Sequence, residues 1–248
     1  MNTNTVKDEI VNLLLGTGAY DVRIADPRTG FEYSDKEKHP LSLMPECNSI
    51  IVFAVAMSPE MNNTYLGTYS PKRKHKLWLG PLPSYCESET HVMRRLNGLF
   101  LDSLNLRCSL FLYENGYRFN CHSGIQQKVA AYESGMGTWG KGGFILHPEF
   151  GNRISLGTVL TDAVLAADER REVSFCRECN ECHRVCPAGA FGEEDGYHGN
   201  WDKQTCLERR KRIETKGGYC HNCFAACPSC HMDDDMILEK KYGRSIWK

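Results

Sequence analysis

Apolar positions change period several times along this chain, and each change marks an element. Residues 6–15 have helical spacing and stop at Gly16 and Gly18, so they predict a helix with a glycine end. The unbroken apolar run 49–57, rich in Ile, Val and Phe, predicts a buried strand. Residues 62–85, with Gly67, Pro71, Gly80, Pro81 and Pro83, read as a long surface loop. Residues 87–104 return to helical spacing, and Val92, Leu96, Leu99 and Phe100 are expected to face the core. Residues 106–113 look like a strand, Asn115-Gly116 a tight turn, and 117–119 its returning partner. A helix over 125–133 ending at Gly135, then strands at 144–146 and 154–160, complete the pattern. Helices and strands mix without a regular βαβ repeat, which favours an α+β fold. The charged stretch 168–172 is the expected seam between a domain at 1–168 and a smaller one at 169–248.

Composition narrows the class. The 248 residues are 41% hydrophobic and 25% charged, those of an ordinary globular chain, and no apolar run reaches the roughly 20 residues of a membrane span. Residues 1–9 are polar and the apolar run 10–15 is short, so no export signal is expected and the expected location is cytoplasmic. A formal net charge of −1 gives no global attraction to nucleic acid. The basic runs at 71–76 and 209–212 read as solvated faces before they read as docking sites.

Chemistry enters with the cysteines. Of the thirteen, eight fall into two groups: Cys176-x2-Cys179-x2-Cys182-x3-Cys186-Pro187, and Cys206 followed by Cys220-x2-Cys223-x3-Cys227-Pro228. In the bacterial ferredoxin run, three cysteines of a short loop hold one 4Fe-4S cluster and the fourth reaches across to the other. By that crossing, Cys176, Cys179, Cys182 and Cys227 hold one cluster, and Cys186, Cys206, Cys220 and Cys223 the second. Each proline lacks an N–H and fixes φ, so it redirects the chain after the last ligand. Zinc favours two C-x2-C pairs well apart, and a third and fourth Cys in each group argue against it. Disulfides do not suit a reducing compartment. Cys47, Cys86, Cys108 and Cys230 lack ligand spacing and read as small core or surface residues. His183 and His221 lie inside the cluster loops, where a hydrogen bond to a cluster sulfur would shift its potential. The acidic stretch 233–235 lacks the spacing and glycine of a calcium loop.

Gly135-Met-Gly137-Thr-Trp139-Gly140 matches a dinucleotide fingerprint in letters only. It follows a predicted helix instead of a strand and continues into Lys141-Gly142-Gly143, so its glycines are read as places of close backbone approach, to a flat ligand or another segment.

That segment, with 147–151 (HPEFG), 156–162 (LGTVLTD) and the two Cys-Pro groups, resembles the epoxyqueuosine reductases and their relatives the reductive dehalogenases, over about residues 118–230. The resemblance implies a nitroreductase-like cobalamin-binding domain at 1–168 followed by a ferredoxin-like two-cluster domain at 169–248. It further implies that an external donor such as a ferredoxin or flavodoxin feeds an outer cluster, that the cluster on Cys186, Cys206, Cys220 and Cys223 is the inner one, and that it reduces the corrinoid cobalt. Gly135, Gly137, Trp139, Gly140 and Lys141 would lie against the corrin, with Glu208 and His221 near it.

The chain also departs from that pattern. Epoxyqueuosine reductases carry an Asp proton donor upstream of the glycines, whereas here Phe119-Asn120-Cys121-His122-Ser123 offers Cys121 or His122 in its place. The resemblance stops short of the helical repeats used on tRNA, so a small molecule or a corrinoid protein is the expected partner. Two functions follow: a cobalamin-dependent iron-sulfur reductase, or an electron-transfer or reductive-activation protein serving a corrinoid or flavin partner. A flavin enzyme is a third reading, by analogy of fold alone.

Overall fold

The computed structural model describes residues 3–32, 34–57, 89–121, 124–171, 176, 179–192, 202–214, 220 and 222–231. In chain order its elements are α1 (Thr3–Gly16), β1 (Asp21–Ala25), α2 (Pro40–Leu43), β2 (Ser49–Ala56), α3 (Glu89–Glu114), β3 (Phe119–Asn120) and α4 (Gln127–Glu133). Then come β4 (Thr138–Trp139), β5 (Ile145–Leu146), β6 (Ile154–Thr161), α5 (Glu181–Arg184), α6 (Lys203–Glu214) and α7 (Asn222–Ala225). Two compact units are assembled from separated segments: Met1–Ala56, Asn97–Thr138 and Ile154–Val173 in the first, and Met57–Leu96, Trp139–Arg153 and Ser174–Lys248 in the second.

The first unit is built on an antiparallel sheet in the order β1-β2-β6-β3. Ile51 of β2 stands opposite Ile24 on one side and Val159 on the other. Both faces of β2 are covered, which is why its sequence is continuously apolar instead of alternating. Ile51, Phe53 and Val55 share one core with Val6, Ile10 and Leu14 of α1 and with Leu104, Cys108 and Leu112 of α3. Ile50, Val52 and Ala54 point to the opposite face and are just as buried, with α4 packed against the sheet.

The strand expected over 106–113 is helix. α3 continues through it because Leu104, Cys108 and Leu112 recur every four residues and bury one stripe, and no breaker intervenes. Asn115-Gly116 ends this helix instead of turning a hairpin. Tyr117 N–H donates to Leu112 O at 2.9 Å and Gly116 N–H to Tyr113 O at 3.0 Å, with Gly116 at φ 77°, the paired bonds of a Schellman end. A hairpin turn and this helix end both need positive φ, so the same dipeptide serves either. The returning strand pairs elsewhere: Phe119 lies opposite Thr161 of β6. Leu96, Leu99 and Phe100, expected in the core, are 51%, 62% and 37% exposed.

The loop expected at 62–85, the basic run 71–76 and the acidic stretch 233–235 lie outside the described residues, as do Cys86, His122 and His221. No helix among the described residues is long and apolar enough to cross a membrane.

Candidate metal centre

The eight cysteines of the two Cys-Pro groups belong to the second unit, where short elements present several of them. Cys182 sits on the single turn α5, which closes through Val185 N–H to Glu181 O at 3.1 Å and Cys186 N–H to His183 O at 3.2 Å. Cys206 lies on α6 and Cys223 on α7, and Cys227 follows α7 directly before Pro228. The segment 139–153 braces these loops. Asn152 Nδ2 donates to Phe224 O at 3.0 Å, and Phe144 meets Phe224 edge to face at 5.2 Å. Gly151, at φ 56°, lies so close to the second Cys-Pro turn that a Cβ there would stand 2.0 Å from Ser229 O.

Cys176, Cys179, Cys182 and Cys227 together line one cavity, whose remaining wall is Gly140, Gly142, Phe144, Leu146 and Pro228. It leaves about 20 Å³ open to the centre of a water-sized sphere, beyond the roughly 10–15 Å³ that a single water requires. The glycines keep this wall thin. A Cβ on Gly142 would stand 2.6 Å from the Phe144 ring, and one on Gly140 would stand 2.9 Å from Leu146 Cδ1. Among the described residues no three His, Cys, Asp or Glu side chains are gathered as around a single metal ion. The thiolates of a cubane bind four different irons, so they surround a body instead of converging on a point, and four thiols around one apolar cavity fit that need.

Electrostatics sorts all eight cysteines into two sets. Burial pushes the Cys182 thiol up to about 11, and Cys176, Cys227 and Cys179 push the same way. Burial also raises Cys176, against a backbone hydrogen bond from Lys141 that lowers it, with Cys227 and Cys179 again adding upward. In the other set burial pushes Cys223 up to about 12, supported by Cys220, Cys186 and Cys206. Cys206 is raised by burial and, after an opposing effect of Arg210, by Cys186 and Cys220. No cysteine of one set acts on a raised cysteine of the other. Four crowded thiols are poor thiolates until a cationic centre displaces their protons, and that is the donor chemistry of a cluster site.

Besides the bond from Lys141 to Cys176, others of these sulfurs hold hydrogen bonds, among them those of Cys227 and Cys186. Ser229 Oγ lies 3.0 Å from Cys227 Sγ, and Ala190 N–H donates to Cys186 Sγ at 3.4 Å. A ligating thiolate has no proton to give, so the Ser229 hydroxyl becomes the donor once Cys227 binds metal. Sequence reasoning missed Ser229, Gly151 and Asn152, and only the position of Ser229 two residues after a ligand hinted at its role.

The residues expected around a corrin have other neighbours. Gly135, at φ 70°, ends α4, with Met136 N–H on Ala131 O at 2.9 Å, and a Cβ there would meet Glu169 O at 2.0 Å. Gly137 is buried and Trp139 half-buried on β4. Lys141 bonds Asn180 Oδ1 at 3.1 Å, and its charge lowers the pKa of Cys176. Glu208 is exposed on α6 and accepts from Gln204 Nε2 at 3.0 Å. Cys121, in the first unit, packs against the main core and helps raise Cys108, which burial pushes to about 12. Cys47 and Cys108 are 1% and 0% exposed, the small core residues expected. His183 stacks on Phe191 at 4.7 Å.

No family model matches the chain. It is 28% identical to a tetrachloroethene reductive dehalogenase of Sulfurospirillum multivorans, over 73% of this chain and 35% of that protein. It is 25% identical to an epoxyqueuosine reductase of Bacillus cereus, over 81% of this chain and 53% of that protein. It therefore spans about half or less of the length of the curated relatives it matches. In fold it resembles a reductive dehalogenase whose structure suggests a mechanism for B12-dependent dehalogenation, with a TM-score of 0.68 and 20% identity over 92% of this chain and 32% of that one.

Proposed function

We propose, from its similarity to epoxyqueuosine reductases and reductive dehalogenases, that the chain is a member of that family and an iron-sulfur oxidoreductase passing electrons through two 4Fe-4S clusters to a corrinoid that reduces a small-molecule substrate. One cluster is held by Cys176, Cys179, Cys182 and Cys227, the other by Cys186, Cys206, Cys220 and Cys223, and an external carrier such as a ferredoxin or flavodoxin supplies the electrons. The observation that carries this reading is the cavity lined by the first four sulfurs, together with the electrostatic separation of the two sets. A bound cubane supplies one-electron transfer at a potential set by its surroundings.

The protein's own share follows from its side chains. Phe144 and Leu146 make the wall of the first cavity apolar, and the Lys141 ammonium offsets the negative charge of thiolates near Cys176. The Ser229 hydroxyl and the Ala190 N–H stabilise electron-rich sulfur on the last cysteine of each Cys-Pro group. In this reading 169–248 is the ferredoxin-like module, steadied by 139–153, and 1–168 the nitroreductase-like one. Cys121 and His122 remain the residues placed in sequence where the family carries its proton donor.

The corrinoid rests on kinship with the B12-dependent protein. Gly135, Gly140 and Gly142 make their close approaches to protein atoms, and Lys141 is engaged by the cluster loop, so these residues do not themselves fit a corrin face. This observation favours, as the second reading, an electron-transfer or reductive-activation protein serving a corrinoid or flavin partner. Anaerobic cobalamin titration of the iron-loaded protein, read by absorbance and electron paramagnetic resonance, decides between them. One cobalamin per chain with a cob(II)alamin signal supports the reductase, and no binding supports the second reading. Zinc without iron overturns both.

A further inference from the structure

α3 is apolar on two opposite faces, and among the described residues the core takes up one. Leu104, Cys108 and Leu112 enter the core of the first unit. On the other side Leu96, Leu99, Leu106, Leu110 and Tyr113 are 51%, 62%, 59%, 50% and 73% exposed. With Ser103 between them, their spacing runs three, four, three, four and three residues, which is the a/d seam of a coiled coil. A helix packed on a globular core ordinarily turns polar residues to that side.

We propose that this seam pairs in parallel with the same seam of a second copy of the chain. Two oppositely charged residues among those flanking it identify the occupant. With Leu96 at a and Leu99 at d, Asp102 falls at g on one edge and Arg107 at e on the other, five residues further on. In a parallel pair each g faces the next e of its partner, so two Asp102 to Arg107 ion pairs form across the two-fold axis. Neither side chain has an ion pair among the described residues, and both are exposed. A seam of like residues is self-complementary, as a two-fold interface requires. Its area suffices: five apolar side chains at about 100 Å² each, counted on both copies, remove about 1,000 Å² from water, the size at which specific association begins.

The test is sedimentation equilibrium of the anaerobically iron-loaded full chain between 1 and 100 μM, on the order where such an interface associates. A mass of twice 28.1 kDa that dissociates on dilution is expected. Leu106→Glu, at an exposed position outside the core, should weaken association about 100-fold or more while leaving the thermal transition and iron content unchanged. Asp102→Arg should weaken it about tenfold, and Asp102→Arg combined with Arg107→Asp should restore it. A monomer throughout overturns the proposal, as does a dimer indifferent to Leu106→Glu. A dimer sensitive to Leu106→Glu but not rescued by the double reversal overturns the parallel pairing. Sedimentation of a monomeric chain with phosphatidylcholine vesicles, abolished by Leu106→Glu, assigns the seam to a lipid surface and also overturns it.

Discussion

Replacing Ser229 by Ala should lower the potential of one cluster and leave the other alone. Ser229 is 7% exposed and its Oγ lies 3.0 Å from Cys227 Sγ. The backbone of this residue is pinned independently of its hydroxyl, because Gly151 packs directly against Ser229 O, so the Ala variant keeps the turn. A hydrogen bond to a charged acceptor is worth about 1.5–3 kcal/mol. Only the part that differs between oxidised and reduced cluster moves the potential. The added electron puts more charge on the sulfurs, so the donor favours the reduced form and its loss lowers the potential. If about a third of the bond energy is differential, the change is about 0.5–1 kcal/mol, or about 20–45 mV at 59 mV per 1.4 kcal/mol for one electron. An anaerobic redox titration followed by electron paramagnetic resonance reads this directly, with iron per chain as the control for cluster loss. Ser229→Thr keeps a hydroxyl and should stay within a few millivolts of the parent, on the order of the titration error. A fully loaded Ser229→Ala protein with both potentials unmoved would refute the argument, and a fall in the second potential instead would assign Cys227 to the wrong set.

Other consequences are tested more simply. Iron-loaded protein should hold about eight irons per chain, and Cys179→Ala about four, with the cluster of Cys186, Cys206, Cys220 and Cys223 retained in its spectrum. Gly116→Ala and Gly135→Ala separate backbone strain from collision. Both sit at positive φ, but nothing lies within 4 Å of a Cβ at Gly116, whereas one at Gly135 would stand 2.0 Å from Glu169 O. Urea unfolding should show a loss of about 1 kcal/mol for Gly116→Ala and at least twice that for Gly135→Ala. Alkali should destabilise the fold through Cys108, whose thiol burial pushes from 9.0 to about 12. The unfolded thiol ionises first, so its stabilising share is complete below about pH 8.5 and is lost toward pH 12, with a slope of up to about 1.4 kcal/mol per pH unit. Cys108→Ala should flatten the stability profile above pH 9 by that amount, and an unchanged slope would contradict the burial argument.

What the sequence made legible depended on how many structures can share a pattern. The spacing of the eight cysteines suggests a ligand crossing, and the side chains that act on Cys182, those of Cys176, Cys179 and Cys227, are the ones which that crossing groups with it. β2 was readable because seven consecutive buried residues leave little choice. The error at 106–113 has a physical origin in α3: a helix with apolar residues on opposite faces loses its 3.6-residue period and imitates a continuous strand. Asn115-Gly116 reinforced it, since positive φ is common to both turns. The glycine segment was legible only as close approach. That Gly140 and Gly142 thin the wall of a cysteine-lined cavity depends on Leu146 and Phe144 folding back over them, a contact set by the β4–β5 turn and not by composition.

The two Cys-Pro turns look equivalent in sequence and differ in the one respect that bears on electron flow. In each, the proline removes the first N–H after the ligand, so the donor to the ligand sulfur comes from further along. After Cys186 that donor is the backbone of Ala190, which no substitution other than proline removes. After Cys227 it is the hydroxyl of Ser229, present or absent according to a single residue. In the proposed reading the potential of a cluster on Cys227 would therefore be adjustable by mutation at this position, while a cluster on Cys186 would keep its donor whatever side chain other than proline stands at 190. Electrons move between such centres according to the difference in their potentials, so in the proposed two-cluster reading Ser229 would bias the direction of transfer without contributing a ligand. A serine two residues beyond the last ligand carries that information, and it becomes readable only once the fold has turned its hydroxyl inward.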